Sequence, residues 1–527
     1  MNGRRDVNTF NMSVIRSRIS AILLAALLLF VAQMPATAQP SKGRNALQLV
    51  QDRHQKRYRE FCNEISKLED EFQRDDQIEV AREIHQRLMT PESLSTRVDK
   101  LPSEVQPEFP ADVSEEERQW RKQLRKIEKD YAKDIYVMAR GALKQGQHSY
   151  AYDLVREVTL HDPDHPQARR ILGYIRLDKE WLTKAAYALV KNQYVWVEEF
   201  GWLPKDHRQK YLDGERFIKE HADGERSFKG RWVNKDKEEE LRRDFKSAWE
   251  IRTDHYLIKT NVSLEKGVKL GKALEEFYEV FQETFAGFFH TPEQLQKLFD
   301  DHARPGLTDL KPYTVHFYRT REEYIERLRV YFPTIEQTNG VYMTSDRIAH
   351  FYDDPENEHL GTLYHEGTHQ LFFESSPGNR QICTNEHFWV IEGIACYMES
   401  LHRKNGSITL GDPKYIRFTG ARHNLIRESY YVPLREFSGM GMQDFQTAPN
   451  LSKNYTQAAG LARFFMQYDN GRYREALVRH LDHLYSSDPR KRAQATGLDE
   501  LTGVEFETLD RQYSEDARQT DSQISAR

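Results

Sequence analysis

Apolar residues recur at three- and four-residue spacing through most of this chain, and alternating runs interrupt them near the middle. From 39 to about 135 the chain is rich in Glu, Lys, Arg and Gln, keeps helical spacing and holds few breakers, which predicts helix. Ala139 and Leu143, then Tyr150-Ala151, Leu154 and Val158, continue the helical period until Asp162-Pro163-Asp164-His165-Pro166 breaks it. Ala168 to Leu177 is expected to form the next helix. From Gly201 to Asp236 several Gly and Trp residues occur with little periodicity, which suggests an irregular connector.

The second half alternates between the two periods. Thr253 to Asn261 reads as a strand, and Leu264 to Phe289 as a long amphipathic helix carrying Leu270, Leu274, Phe277, Phe281 and Phe285 on one face. Tyr313 to Tyr318 and Ile348 to Tyr352 read as further strands, with a helix capped by Thr320 between them and a turn signal at Asn339-Gly340. Ser375-Ser376-Pro377-Gly378-Asn379 clusters turn formers. Phe388 to Ser400 then returns to helical spacing, with Ile391, Ala395 and Met398 on a buried face. Another helix runs through Asn454 to Phe465, and the chain after Gln494 reads as a polar tail, disordered beyond Asp510. The fold class is α+β, mostly helical.

One helical segment carries chemistry. His365-Glu366-Gly367-Thr368-His369 spells H-E-x-x-H. Four residues of helix advance about 6 Å and turn about 400°, so the two imidazoles stack on one face and can hold a Zn²⁺ at roughly 2.0–2.1 Å each. Glu366 is rotated by about 100° and points beside the metal, where a general base must stand. A catalytic zinc needs a third protein ligand. Glu392 is the best candidate, 23 residues beyond His369 in Trp389-Val390-Ile391-Glu392-Gly393-Ile394-Ala395 and beside an apolar stripe. A carboxylate there is costly to bury without a cation.

The pair H-E-x-x-H and W-x-x-E-G-x-A resembles the gluzincin metallopeptidases over about residues 254–485. The resemblance implies a zincin-like domain with a small mixed sheet and one Zn²⁺ per chain held by His365, His369 and Glu392. It implies Glu366 as general base in the hydrolysis of peptide bonds. It also implies a substrate strand pairing with a sheet edge, a role expected of one of the two strands Tyr313–Tyr318 and Ile348–Tyr352. Many gluzincins place an oxyanion-stabilising Tyr or His downstream, a role that falls on Tyr455, with Tyr430 and Tyr431 as rivals. His387 and Glu399 lie near the third ligand in sequence and read as solvated surface residues rather than supports of the metal. The aminopeptidase motif G-x-M-E-N is absent before the zinc helix, which favours an endopeptidase. More narrowly, the chain is similar to exported bacterial proteins in which a helical region precedes a gluzincin-type domain. The helix pair around Asp162-Pro163 resembles a tetratricopeptide unit, although a solenoid needs about three.

Composition narrows the setting. Arg4, Arg5, Arg16 and Arg18, an apolar run from about Ile19 to Ala32, and Ala36-Thr37-Ala38 read as a signal peptide over 1–38, so the protein is expected to be exported, periplasmic or extracellular. Its removal takes the net charge from −5 to about −8. No basic tract suggests nucleic acid, and no segment after the signal can span a membrane. Three cysteines are too few for a disulfide framework; Cys383 and Cys396 are read as two buried thiols or as a bridge across the third-ligand loop. The expected order is a signal over 1–38, a helical region over 39–200, a connector over 201–249, a peptidase domain over 250–493 and a polar tail over 494–527. The expected partners are a peptide or protein substrate and a protein held by the helical region. The other class of function compatible with these features is a non-catalytic scaffold or peptide-binding protein stabilised by zinc.

Overall fold

The computed structural model describes residues 42–526, apart from 75–76, 88–95, 99–100, 107–108, 110–112, 222–227, 301–310, 357–359, 376–381, 405–406 and a few positions between 487 and 496. The signal expected over 1–38 and most of the turn expected at 375–379 lie outside the described residues. A unit runs from Ala46 to Arg527. It is mostly helical with small sheets, an α+β architecture.

The N-terminal half starts as the spacing predicts. Helices α1 (Lys42–Arg74), α2 (Glu115–Lys144) and α3 (His148–His161) bury Phe61, Ile65, Tyr131, Ile135, Leu154 and Val158 against one another. Ser114 caps α2 by accepting a hydrogen bond from the Glu117 N–H, and three glutamates in the first turn complement the helix dipole. The helix expected over Ala168–Leu177 ends at Ile171, and the chain turns into strand at Tyr174.

Three hairpins replace the end of the helical region and the irregular connector. They pair Tyr174–Leu177 with Glu180–Thr183, Tyr194–Val197 with Gly201–Pro204, and Glu215–His221 with Phe228–Asn234. A short helix succeeds each: Lys184–Lys191, Arg208–Leu212 and Lys235–Arg242. The second strand of each ends in a Trp, an aliphatic residue and one further residue, and a Lys follows it: Trp181-Leu182-Thr183-Lys184, Trp202-Leu203-Pro204-Lys205, Trp232-Val233-Asn234-Lys235. Thr183 and Asn234 cap the first and third helices. The copies are unevenly spaced and their strands are short, so periodicity alone misses them. Asp254 ties the first two hairpins to the second half of the chain by accepting from Trp202 Nε1 at 2.8 Å and from Thr183 Oγ1.

A five-stranded mixed sheet comes next. Its strands are β1 (Trp249–Arg252), β2 (Tyr256–Thr260), β3 (Tyr313–Tyr318), β4 (Gly340–Met343) and β5 (Ile348–Tyr352), in the order β4-β5-β3-β2-β1. β3 runs parallel to both β2 and β5, while β4 and β1 are antiparallel edges. The expected edge strand is therefore corrected: β3 and β5 are interior, and β4 is the edge. Asn339-Gly340 is not the hairpin turn. Gly340 opens β4, and the turn lies at 344–347, where Arg347 takes φ +60° and its N–H bonds Met343 O at 2.9 Å. Between strands lie α4 (Leu264–Thr284) and α5 (Arg321–Leu328), the latter capped by Thr320 as the sequence predicts.

Helices α6 (Leu360–Ser375), α7 (Phe388–Met398), α8 (Leu451–Gly471), α9 (Arg474–Leu484) and α10 (Phe506–Ser525) complete the unit. The polar tail is corrected as well. Phe506, Leu509, Tyr513 and Ala517 form a buried stripe on α10, and Asp510 accepts hydrogen bonds from the Tyr431 hydroxyl and the Leu434 N–H. Helix α3 docks on this half through Asp153 with Arg474 at 2.8 Å, Ser149 with Glu475, and Arg156 with Glu283 at 3.3 Å. Among the described residues no helix is long and apolar enough to cross a membrane.

Glu128 is buried on α2, 3.8 Å from Arg87. Burial raises its carboxyl to about 7, with Arg87 and Arg125 opposing. A carboxyl raised on folding contributes stability that is complete below about pH 4.5 and lost as pH passes 7. Glu128→Gln is therefore expected to raise the melting temperature at pH 8, by the equivalent of about 2–3 kcal/mol, and to change it little at pH 4.5. Equal melting temperatures at pH 8 would contradict this.

Candidate metal centre

Helix α6 lies between the edge strand and α7. It presents His365 and His369 on one face, with their Nε2 atoms 3.2 Å apart. Glu392 reaches them from α7, its Oε2 lying 3.4 Å from His365 Nε2 and 3.8 Å from His369 Nε2. Ligands of a tetrahedral ion bound at about 2.0–2.1 Å lie about 3.3–3.4 Å from one another. The three atoms thus stand at the separation that one small divalent cation requires. The three residues named from sequence are brought together.

Glycines set the helix spacing at this site. A Cβ on Gly367 would come within 2.9 Å of the Phe277 ring on α4. A Cβ on Gly393 would lie 2.6 Å from the Ala458 carbonyl oxygen on α8, so Gly393 lets α7 and α8 touch. Every residue of α7 is buried, not only the stripe through Ile391, Ala395 and Met398. Glu392 is 7 % exposed inside that helix.

Glu366 points away from the three ligands toward the edge strand. Its Oε2 accepts the Tyr342 N–H of β4 at 2.8 Å. Burial raises its carboxyl to about 7; His365 and the Tyr342 N–H pull it down, while Glu392 and Glu399 push it up. Burial lowers His369 to about 4, which keeps its ring in the neutral form that can ligate a metal. Burial would lower His365 as well, but Cys396, Glu392 and Glu399 raise it well above the ordinary histidine range. The surrounding anions favour a positive charge at this point, and a divalent cation would meet the same demand.

Glu399 was singled out from the sequence but read as a solvated surface residue, and its partners Tyr415 and Arg417 were missed. Far from being a solvated surface residue, Glu399 is 7 % exposed and accepts from His365 Nδ1 at 2.7 Å. Its second oxygen accepts from the Tyr415 hydroxyl at 2.9 Å and from Arg417 Nε. Burial opposes its ionisation, but His365 and Arg417 hold it at about 2. The signal was its offset from Glu392: seven residues are about two helical turns, which return to the same face. Cys396, one turn after Glu392, lies within 4.8 Å of His365 and Glu399 ligand atoms. Cys383 and Cys396 are both free, so the third-ligand loop is not bridged. His387 is buried but packs beside His480, with ring centroids 4.8 Å apart, and takes no part in the cluster.

Tyr455, on α8, packs edge-on against Phe445 at 5.2 Å. Burial raises its hydroxyl, and so do the charges of Glu392, Cys396 and Glu366, while His365 opposes them. The rivals are committed elsewhere: Tyr430 donates to Asn454 Oδ1 and Tyr431 to Asp510, each at 2.6 Å. The chain matches no protein-family model, no curated protein and no solved structure.

A carboxylate fixing a ligand histidine tunes metal affinity. Glu399→Gln is expected to weaken zinc binding about 10–100-fold in chelator competition while the fold persists. Unchanged affinity would assign Glu399 to packing alone.

Proposed function

We propose that this chain is an exported zinc-dependent endopeptidase with a zincin-like domain of gluzincin type. The observation that carries the reading is the ligand triangle of His365, His369 and Glu392 beside a carboxylate that does not join it. Zn²⁺ held there would polarise a scissile carbonyl and lower the pKa of an attacking water. Glu366 would take that water's proton and pass it to the leaving amine. The Tyr342 N–H fixes one oxygen of Glu366, which leaves the other free for the proton. Tyr455 would donate its hydroxyl hydrogen to the developing oxyanion.

The edge strand supports a peptide substrate. In an antiparallel strand the N–H and C=O of one residue point the same way. Since the Tyr342 N–H faces Glu366, its C=O lies on the same side of β4, away from β5, where an extended chain would pair with it. The helical region is packed on the catalytic half by the α3 ion pairs, so it buttresses the site as well as offering a surface to a partner.

Purified chain is expected to cleave an unfolded protein. Glu366→Gln should abolish cleavage and retain zinc, and Tyr455→Phe should lower kcat about 10²–10³-fold with KM little changed. Zinc in both wild type and Glu366→Gln with no cleavage by either, over a broad panel of unfolded proteins, would favour the scaffold reading.

A further inference from the structure

Between α5 and the edge strand, six consecutive residues, 329–334, are exposed. Three of them are large and apolar: Val330 at 83 %, Tyr331 at 72 % and Phe332 at 38 %. Single exposed apolar residues need no explanation, but three in a row are unfavourable in water unless they have a use. The crest is also well fastened. Tyr331 and Phe332 donate their N–H groups to Leu328 O at 2.9 Å each, and Ile335 donates to Phe332 O. Arg321 and Arg329 both grip Glu336, through its carbonyl and its carboxylate. An apolar segment held out by its own base is presented to solvent.

We infer that Val330-Tyr331-Phe332 is a docking surface for an apolar stretch of an unfolded polypeptide whose next residues lie along β4. This rests on the peptidase reading. Continuity with the cleft supports that occupant. Leu328 and Ile335, which bracket the crest, belong to one small core with Tyr324 and Tyr352, and Val341 and Met343 of the edge strand pack on that same core. The Tyr324 hydroxyl bonds Thr338 Oγ1 at 2.6 Å, and Tyr352 donates to Asn339 Oδ1 at 3.0 Å. These bonds pin the connection from the crest to Gly340, so crest and edge strand form one continuous rigid rim. Charge argues for a polypeptide over a bilayer. Residues 319–337 hold four Arg and four Glu, so no basic excess surrounds the crest to draw it to anionic lipid. An aromatic crest beside a β-edge suits a chain that is extended and apolar, as unfolded proteins are and short polar peptides are not.

The test uses the full chain with V330S, Y331S and F332S combined. Val330 and Tyr331 lie largely in solvent and Phe332 is 38 % exposed, so the melting temperature should stay within a few degrees of wild type. Cleavage of reduced, carboxymethylated α-lactalbumin is compared with cleavage of a hexapeptide built around one bond that wild type cuts in it. The expected result is a KM about tenfold higher for the long substrate with kcat retained, and no change for the hexapeptide. Binding of labelled α-lactalbumin in a Glu366→Gln background should weaken by the same factor. Equal KM and equal binding with and without the crest would overturn the inference while leaving the peptidase reading intact. Crest-dependent binding without cleavage by wild type would do the reverse. Crest-dependent flotation on phosphatidylcholine–phosphatidylglycerol vesicles, without an effect on the protein substrate, would assign the crest to a membrane and overturn the inference.

Discussion

Two carboxylates, Glu392 and Glu399, are buried on or directly after a helix that is apolar all round, and a third, Glu366, stands across from them on α6. Among the described residues Arg417 is the permanent cation that touches the group, and it serves Glu399. Burying an ionised carboxylate without a partner costs several kcal/mol, so this arrangement requires positive charge at the point where Glu392 meets the two histidines. A cation bound there would satisfy the requirement, as would a proton on His365, whose far nitrogen Glu399 already holds. Much of the packing around the site answers to this constraint. Gly393 lets α8 press against α7, Gly367 lets α4 press against α6, and the edge strand spends a backbone N–H on Glu366 to keep that carboxylate out of the ligand set.

The centre was legible in the sequence because its geometry is local. His365 and His369 share a helix, so their spacing alone places them together. Glu392 was found because a carboxylate in an apolar helix needs a reason to be there. Glu399 was read as a solvated surface residue although it lies near the third ligand, because its two-turn offset, which puts it on the ligand face, was not used. The sequence favoured Tyr455 and left Tyr430 and Tyr431 as rivals, since a hydroxyl's partner is set by tertiary contacts that periodicity does not record.

The misread segments share a cause. The three Trp hairpins are short and their period is uneven, so the first was taken for helix and the Gly and Trp residues after 200 for irregular chain. The edge strand β4 is four residues long and opens with a glycine that also signals turns, so the strand was taken for the turn beside it. In α10 the polar residues outnumber the apolar ones, and the stripe through Phe506, Leu509, Tyr513 and Ala517 was lost in a polar average. Helices with wide apolar faces, by contrast, were placed well: α4 and α7 begin at Leu264 and Phe388 as predicted, and α8 contains its predicted span.

The most direct test of the metal centre is zinc K-edge X-ray absorption on the full chain loaded with one equivalent of zinc. The expected ligands are two imidazole nitrogens and oxygen donors at about 2.0–2.1 Å, with no sulfur. A sulfur at about 2.3 Å would move the ion to His365, Cys396 and Glu399, and failure to retain zinc would remove the centre altogether.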